Sequence, residues 1–186
     1  MAMRKLKLQV QISLDGFIAG PNGEMDWMMF DWDEDLKEYV RQITDSVDCI
    51  LLGRKLAQGF IPHWASHPEE EGAEKINNTP KVVFSNTLDH SEWDNTILLK
   101  GDLIEQITQL KKQEGKDIIV YGGADFVSSL IKADLIDEYN LLVDPTAIGE
   151  GMPIFKKLGS KLNLQLKKSI PFDCGITLLC YESNHS

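Results

Sequence analysis

The chain has 186 residues, 42% apolar and 26% charged, enough to enclose one well-cored domain and short for two. Its net charge of −10, from 29 acidic against 19 basic side chains, repels nucleic-acid phosphates, and nothing beyond short Lys pairs offsets it, so no nucleic-acid partner is expected. No run approaches the roughly 20 apolar residues of a membrane span, and "MAMRKLKLQV" lacks the apolar core and cleavage site of a signal peptide, so a cytoplasmic protein without membrane contact is expected.

Along the chain, residues 5–12, "KLKLQVQI", alternate polar and apolar, as a strand with one buried face does. A loop follows, "SLDGFIAGPNGEMDW". From Asp33 to Ser46 the apolar positions Leu36, Tyr39, Val40 and Ile43 recur at helical spacing. "VDCILLG" then reads as a strand buried on both faces, and "KVVF" (81–84), "TILL" (96–99) and "DIIVY" (117–121) repeat that pattern. "RKLAQGF" reads as a short helix and 67–78 as a polar excursion. "DLIEQITQLKK" (102–112) sets Leu103, Ile107 and Leu110 on one helical face, and Phe126, Val127, Leu130 and Ile131 mark another helix. "IDEYNLLV" (136–143) is a strand, and "LNLQL" and "GITLLCY" close the chain as an antiparallel pair. Strands alternating with helices predict one α/β domain over 1–186, a mixed, mostly parallel sheet covered on both faces.

The cysteines Cys49, Cys174 and Cys180 have no metal-ligand spacing, and no metal is expected; Cys49 and Cys180 lie in apolar runs, where buried free thiols are the plain reading.

Four strands end in residues able to meet a phosphate. In "VYGGADFV", Gly122-Gly123 joins a strand to a helix, an order that serves either as a tight turn or as a place where an anion reaches bare N–H groups. It lacks the G-x-G-x-x-G spacing of a dinucleotide fingerprint. In "CILLGRK", Gly53 closes a strand and Arg54-Lys55 open the next segment, as a solvated turn or as a phosphate grip. Ser85-Asn86 follows "KVVF", and Lys100 follows "TILL". The repetition at successive strand ends is what favours a nucleotide site.

These segments, together with "ISLDGFIAGPNGEMDW" and "LIDEYNLLVDPTAIGEGMPIF", resemble the dihydrofolate reductase superfamily over residues 4–182, and within it the branch of the RibD C-terminal reductase domain. The resemblance implies an eight-stranded dihydrofolate-reductase-like sheet, NADPH as hydride donor and a homodimer. It implies Arg54, within Gly53-Arg54-Lys55, at the 2′-phosphate. Ser85, Asn86 and Lys100 would then lie at the adenosine half. Tyr121, Gly122, Gly123, Ala124, Asp125 and Phe126 would form the turn and helix start under the pyrophosphate, and Ile18 and Ala19 a mobile loop over the nicotinamide. The implied activity is reduction of a pterin-like or pyrimidine-like heterocycle, related to the 5-amino-6-(5-phosphoribosylamino)uracil reductase of riboflavin biosynthesis.

Two positions depart from the family pattern. Tyr121 stands where RibD-type reductases carry a substrate-contacting Glu, and the first-helix carboxylate of dihydrofolate reductases has no cleanly spaced match. The carboxylates to watch are Asp15, Asp33 and Asp35, with Asp35 preferred as the group that orients the substrate. Each has a plainer reading: Asp15 as half of an Asp-Gly turn, Asp33 as a helix cap, Asp35 as a first-turn charge. Trp27, Phe30, Trp32 and Trp64 could wall a planar ring. A nucleotide- or heterocycle-binding protein without turnover is the alternative reading.

Overall fold

The alternating segment at the start of the chain becomes strand β1 (Leu6–Ile12), at the centre of an eight-stranded sheet. The structure is a computed structural model describing residues 3–184. After β1 come α1 (Glu34–Asp45), β2 (Val47–Gly53), α2 (Arg54–Ser66), α3 (Ala73–Asn78), β3 (Lys81–Phe84) and β4 (Thr96–Leu99). Next are α4 (Leu103–Lys112), β5 (Asp117–Val120), α5 (Ala124–Lys132), β6 (Glu138–Val143), β7 (Leu164–Pro171) and β8 (Thr177–Ser183).

The strand order is β4-β3-β2-β5-β1-β6-β8-β7. β1 pairs parallel with β5 and β6, β2 with β3 and β5, and β3 with β4, while β8 runs antiparallel to β6 and β7. This is a mixed, mostly parallel eight-stranded sheet, as the resemblance implies.

The chain walks outward from β1 to β4, returns to insert β5 beside β1, then crosses to β6. Right-handed crossovers in opposite directions place their helices on opposite faces. The packing agrees: Ile43 of α1 and Ala57 and Ile61 of α2 meet Ile50 and Leu52 on one face. Ile107 of α4 and Val127, Leu130 and Ile131 of α5 meet Cys49 and Leu51 on the other. Alternate side chains of one strand thus serve two cores. A separate cluster holds Leu36 of α1 against Leu142, Ile176 and Leu178.

Three expectations are corrected. The helix after Gly53 runs for 13 residues through Pro62, because Ala57 and Ile61 bury against the sheet and sustain it. "TILL" is not buried on both faces: β4 is the edge strand, and its Ile97 is 57% exposed. The first member of the closing hairpin is centred later than "LNLQL", because β7 aligns with β8 through Ile170↔Leu178. Cys49 and Cys180 are buried free thiols, as expected.

Candidate functional site

In an open α/β sheet the ligand crevice lies at the carboxyl ends of strands, where neighbouring connections leave to opposite faces. Here that point lies between β2 and β5, whose helices α2 and α5 leave in opposite directions on opposite faces. A cavity of about 350 Å³ lined by Arg4, Asp48 and Lys81 opens at the amino ends of the strands, on the wrong side for such a site.

The helix starts at the carboxyl ends of the strands differ among themselves. α1 and α4 are capped by aspartates, Asp33 accepting from Leu36 N and Asp102 from Glu105 N, both at 2.9 Å. α2 begins after Gly53 and α5 after Gly123, and neither start has a side-chain cap. Both therefore leave first-turn N–H groups and a partial positive charge pointing outward. The two starts touch. A Cβ on Gly53 would sit 2.8 Å from Cβ and Cγ of Phe126, while Leu56 lies 3.8 Å from the Cβ position of Gly123.

Gly122 (φ +143°) and Gly123 (φ +65°) hold backbone conformations that L side chains rarely adopt. Gly122 is buried, and the nearest atoms, Ile18 Cδ1 and Leu56 Cδ2, stand 3.8 and 3.9 Å from its Cβ position, at ordinary contact distance. The pair makes a tight turn, and that turn leads into a helix start without a side-chain cap. Ala124 is buried, and the Phe126 ring stacks on Phe84 at 6.0 Å between centroids.

Charge follows the same geometry. Arg54 and Lys55 open α2, with no acidic residue in its first turn, and no hydrogen bond or ion pair engages Arg54 among the described residues. Asp125 would offset α5, but it pairs with Lys156 at 2.6 Å, and that contact holds its carboxyl below the ordinary range. Lys157 donates to the Asp125 carbonyl at 3.0 Å. Lys156 and Lys157 were not singled out in the sequence, because only the fold brings residues 156–157 to the start of α5.

Other candidates are otherwise engaged. Ser85 is buried, its Oγ accepting from Thr87 N and Leu88 N, so it shapes a turn. Asn86 accepts from Gly101 N at 2.8 Å, and Lys100 pairs with Asp89 at 3.1 Å on the surface. Ile18 is buried, and the Phe17–Ala19 backbone pairs with 151–153 through Ile18 N→Met152 O and Met152 N→Ala19 O. The loop that carries Ile18 and Ala19, expected as a mobile cover, is joined to 151–153 by a β-bridge. Tyr121 turns into the helix layer and stacks on Phe60 at 5.5 Å, and burial pushes its hydroxyl up to about 12.

Of the three carboxylates, two are structural. Asp15 accepts from Ser13 Oγ (2.6 Å), Ile148 N and Gly149 N (2.7 Å), chiefly the Ser13 contact lowering its pKa. Asp33 accepts from Leu36 N and, through its other oxygen, from Cys174 N at 2.9 Å, which lowers its pKa. Both are ionised acceptors near neutral pH, unsuited to donating a proton. Asp35 is exposed and carries no hydrogen bond or ion pair among the described residues. Of the aromatics, Phe30 is 67% exposed, Trp32 donates to Met29 O, and Trp64 packs on Phe60.

A fourth carboxylate escaped the sequence reading. Asp144, at the end of β6, is fully buried and accepts from Met29 N at 3.0 Å and Gln11 Nε2 at 3.2 Å, pinning the loop that leads into α1. Burial raises its pKa. Its only signal was a position one residue beyond an apolar strand.

With this geometry in place, the comparisons are decisive for the family. A family model, the RibD C-terminal domain, matches residues 4–178. The chain belongs to the RibD C-terminal domain family. It is 35% identical to the uncharacterised protein YyaP of Bacillus subtilis (strain 168), over 99% of this chain and 97% of that one. The diaminohydroxyphosphoribosylaminopyrimidine deaminase/5-amino-6-(5-phosphoribosylamino)uracil reductase of Thermotoga maritima shares its fold (TM-score 0.72, 16% identity), over 97% of this chain and 57% of that one. So does dihydrofolate reductase from Enterococcus faecalis complexed with NADP(H) (TM-score 0.65, 16% identity), over 97% of each. The fold is therefore one that this chain shares with a uracil reductase and with a dihydrofolate reductase. No helix among the described residues is long and apolar enough to cross a membrane.

Proposed function

We propose that this protein is an NADPH-dependent reductase of a small pterin-like or pyrimidine-like heterocycle. The observation that carries the proposal is the pair of touching helix starts, both without side-chain caps, with an unengaged Arg54 beside them. Two outward sets of N–H groups suit a pyrophosphate, and a free guanidinium suits a further phosphate monoester by a bidentate fork. Gly122 and Gly123 would hold the pyrophosphate, Arg54 and Lys55 the 2′-phosphate, and Lys100 could join them by releasing Asp89.

Bound NADPH would supply a hydride. The chain's own contribution is to position the acceptor beside it, which is most of what such a transfer requires. Asp15 and Asp33 are committed to backbone contacts, so the proton would come from water. Asp35, the uncommitted carboxylate of α1, would orient an N–H of the substrate. The resemblance also supports a homodimer, which light scattering would check.

Calorimetry tests the cofactor. Arg54→Ala should weaken NADPH binding by about 1.5–3 kcal/mol, the range of a charge-assisted hydrogen bond, and leave NADH nearly unchanged. Equal losses for the two cofactors would remove Arg54 from the phosphate site. A second reading, a binding protein without turnover, is favoured by the commitment of Asp15 and Asp33 and by Tyr121 lying in the helix layer. A screen of dihydrofolate, dihydropterins and ribosylaminopyrimidines, followed by NADPH absorbance, separates the two. Tight NADPH binding with no substrate reduced would put the binding protein ahead.

A further inference from the structure

We infer that the end of α2 carries a site for a borderline divalent transition-metal ion, with Zn²⁺ as the reference ion and His63, His67 and Glu70 as its ligands. Only cysteines were weighed for metal spacing in the sequence, and the expectation of no metal passed over H-x-x-x-H-x-x-E. Spacing of four on a helix puts His63 and His67 on one face, one turn apart. Their rings stack at 4.6 Å between centroids. The chain turns after His67 and brings Glu70 back, so that one atom from each residue lies within 4.8 Å of the others. His63 Nε2 and Glu70 Oε2 stand 3.2 Å apart. Two ligands of a tetrahedral Zn²⁺ with bonds of about 2.0–2.1 Å are roughly 3.3 Å apart, so the pair already has the spacing of one edge.

The supporting contacts suit the same use. His67 Nδ1 lies 2.9 Å from the carbonyl of His63 and 3.0 Å from Ser66 Oγ; the carbonyl can only accept, so the tautomer with its proton on Nδ1 satisfies it and leaves the Nε2 lone pair for an ion. A ring N–H donated to a backbone carbonyl is how metal-ligating histidines are usually held. The site is at a helix carboxyl end, where cations are favoured, and Glu69 and Glu71 flank Glu70. Two imidazoles with one carboxylate select Zn²⁺, Ni²⁺ or Cu²⁺ over Mg²⁺ or Ca²⁺. Three exposed protein ligands leave the remaining positions to water. A bound ion would staple α2 to the 67–72 turn that leads into α3. It would thereby stiffen the helix whose opposite end bears Arg54.

The test is calorimetric titration of the full-length, tag-free protein with ZnCl₂, alongside thermal melts. One saturable site per chain is expected, with a melting temperature raised by Zn²⁺ and restored by EDTA. His67→Gln and Glu70→Gln should each weaken Zn²⁺ binding by about tenfold or more, while His90→Gln and Cys174→Ser change nothing. Metal-free melts matching the parent would show that the variants are folded. No saturable binding by the parent, or full affinity in a His63→Gln/His67→Gln protein, overturns the site.

Discussion

At the scale of single residues, two carboxylates pull the pH dependence of stability in opposite directions. Asp33 has a folded pKa below its ordinary value, because it accepts from Leu36 N and Cys174 N. Its contribution is complete above about pH 3.9, the unfolded value, and fades as pH falls through the lower folded one. Asp144 has a raised pKa because it is buried, so its folded form takes up a proton first and its contribution grows as pH falls toward that range. Denaturant midpoints measured between about pH 6 and pH 3 should therefore fall less steeply for Asp33→Asn than for the parent, and more steeply for Asp144→Asn. Identical slopes for the two variants would show that neither carboxylate governs the acid limb. Asp33 was readable from the sequence as a cap; Asp144 was not, because only the fold reveals that Met29 N and Gln11 point at it.

At the scale of elements, the junction of α2 and α5 depends on one missing methyl. Gly53 has ordinary extended backbone (φ −77°, ψ 150°), so glycine is not required there by conformation. What requires it is Phe126, whose Cβ and Cγ lie 2.8 Å from where a Cβ would be. Gly53→Ala should accordingly cost about 1–3 kcal/mol, as overpacking does, and should weaken NADPH binding by pushing the two helix starts apart. Equal unfolding midpoints for variant and parent would disprove the close fit. The elements themselves were largely legible, since helical spacing at Leu36, Tyr39 and Ile43 or Ile107 and Leu110 needs no tertiary information. The failures have physical causes: Pro62 hid the true length of α2, and an apolar β4 cannot announce that it is an edge. The Gly pair was legible as a turn, and the absence of side-chain caps became visible only beside Asp33 and Asp102.

At the scale of the molecule, the two helix starts belong to opposite layers of the sheet, and a ligand held by both would tie the layers together. The central strand raises a different matter. β1 is made well before its partners β5 and β6, and the contacts that seat it, Lys5 N to Asp117 and Leu6 N to Asp137, span 112 and 131 positions. Closing loops of that length costs entropy before any contact repays it, so folding should be slow for a domain of this size. On the ribosome β1 has no strand to pair with until β5 emerges. Leu6, Leu8 and Val10, buried in the finished protein, would remain exposed until then. A fragment ending at residue 115 should show no cooperative melt by circular dichroism and should aggregate. Adding a separately made 116–186 segment should restore a melt, and cooperative folding of the first fragment by itself would refute this order of assembly.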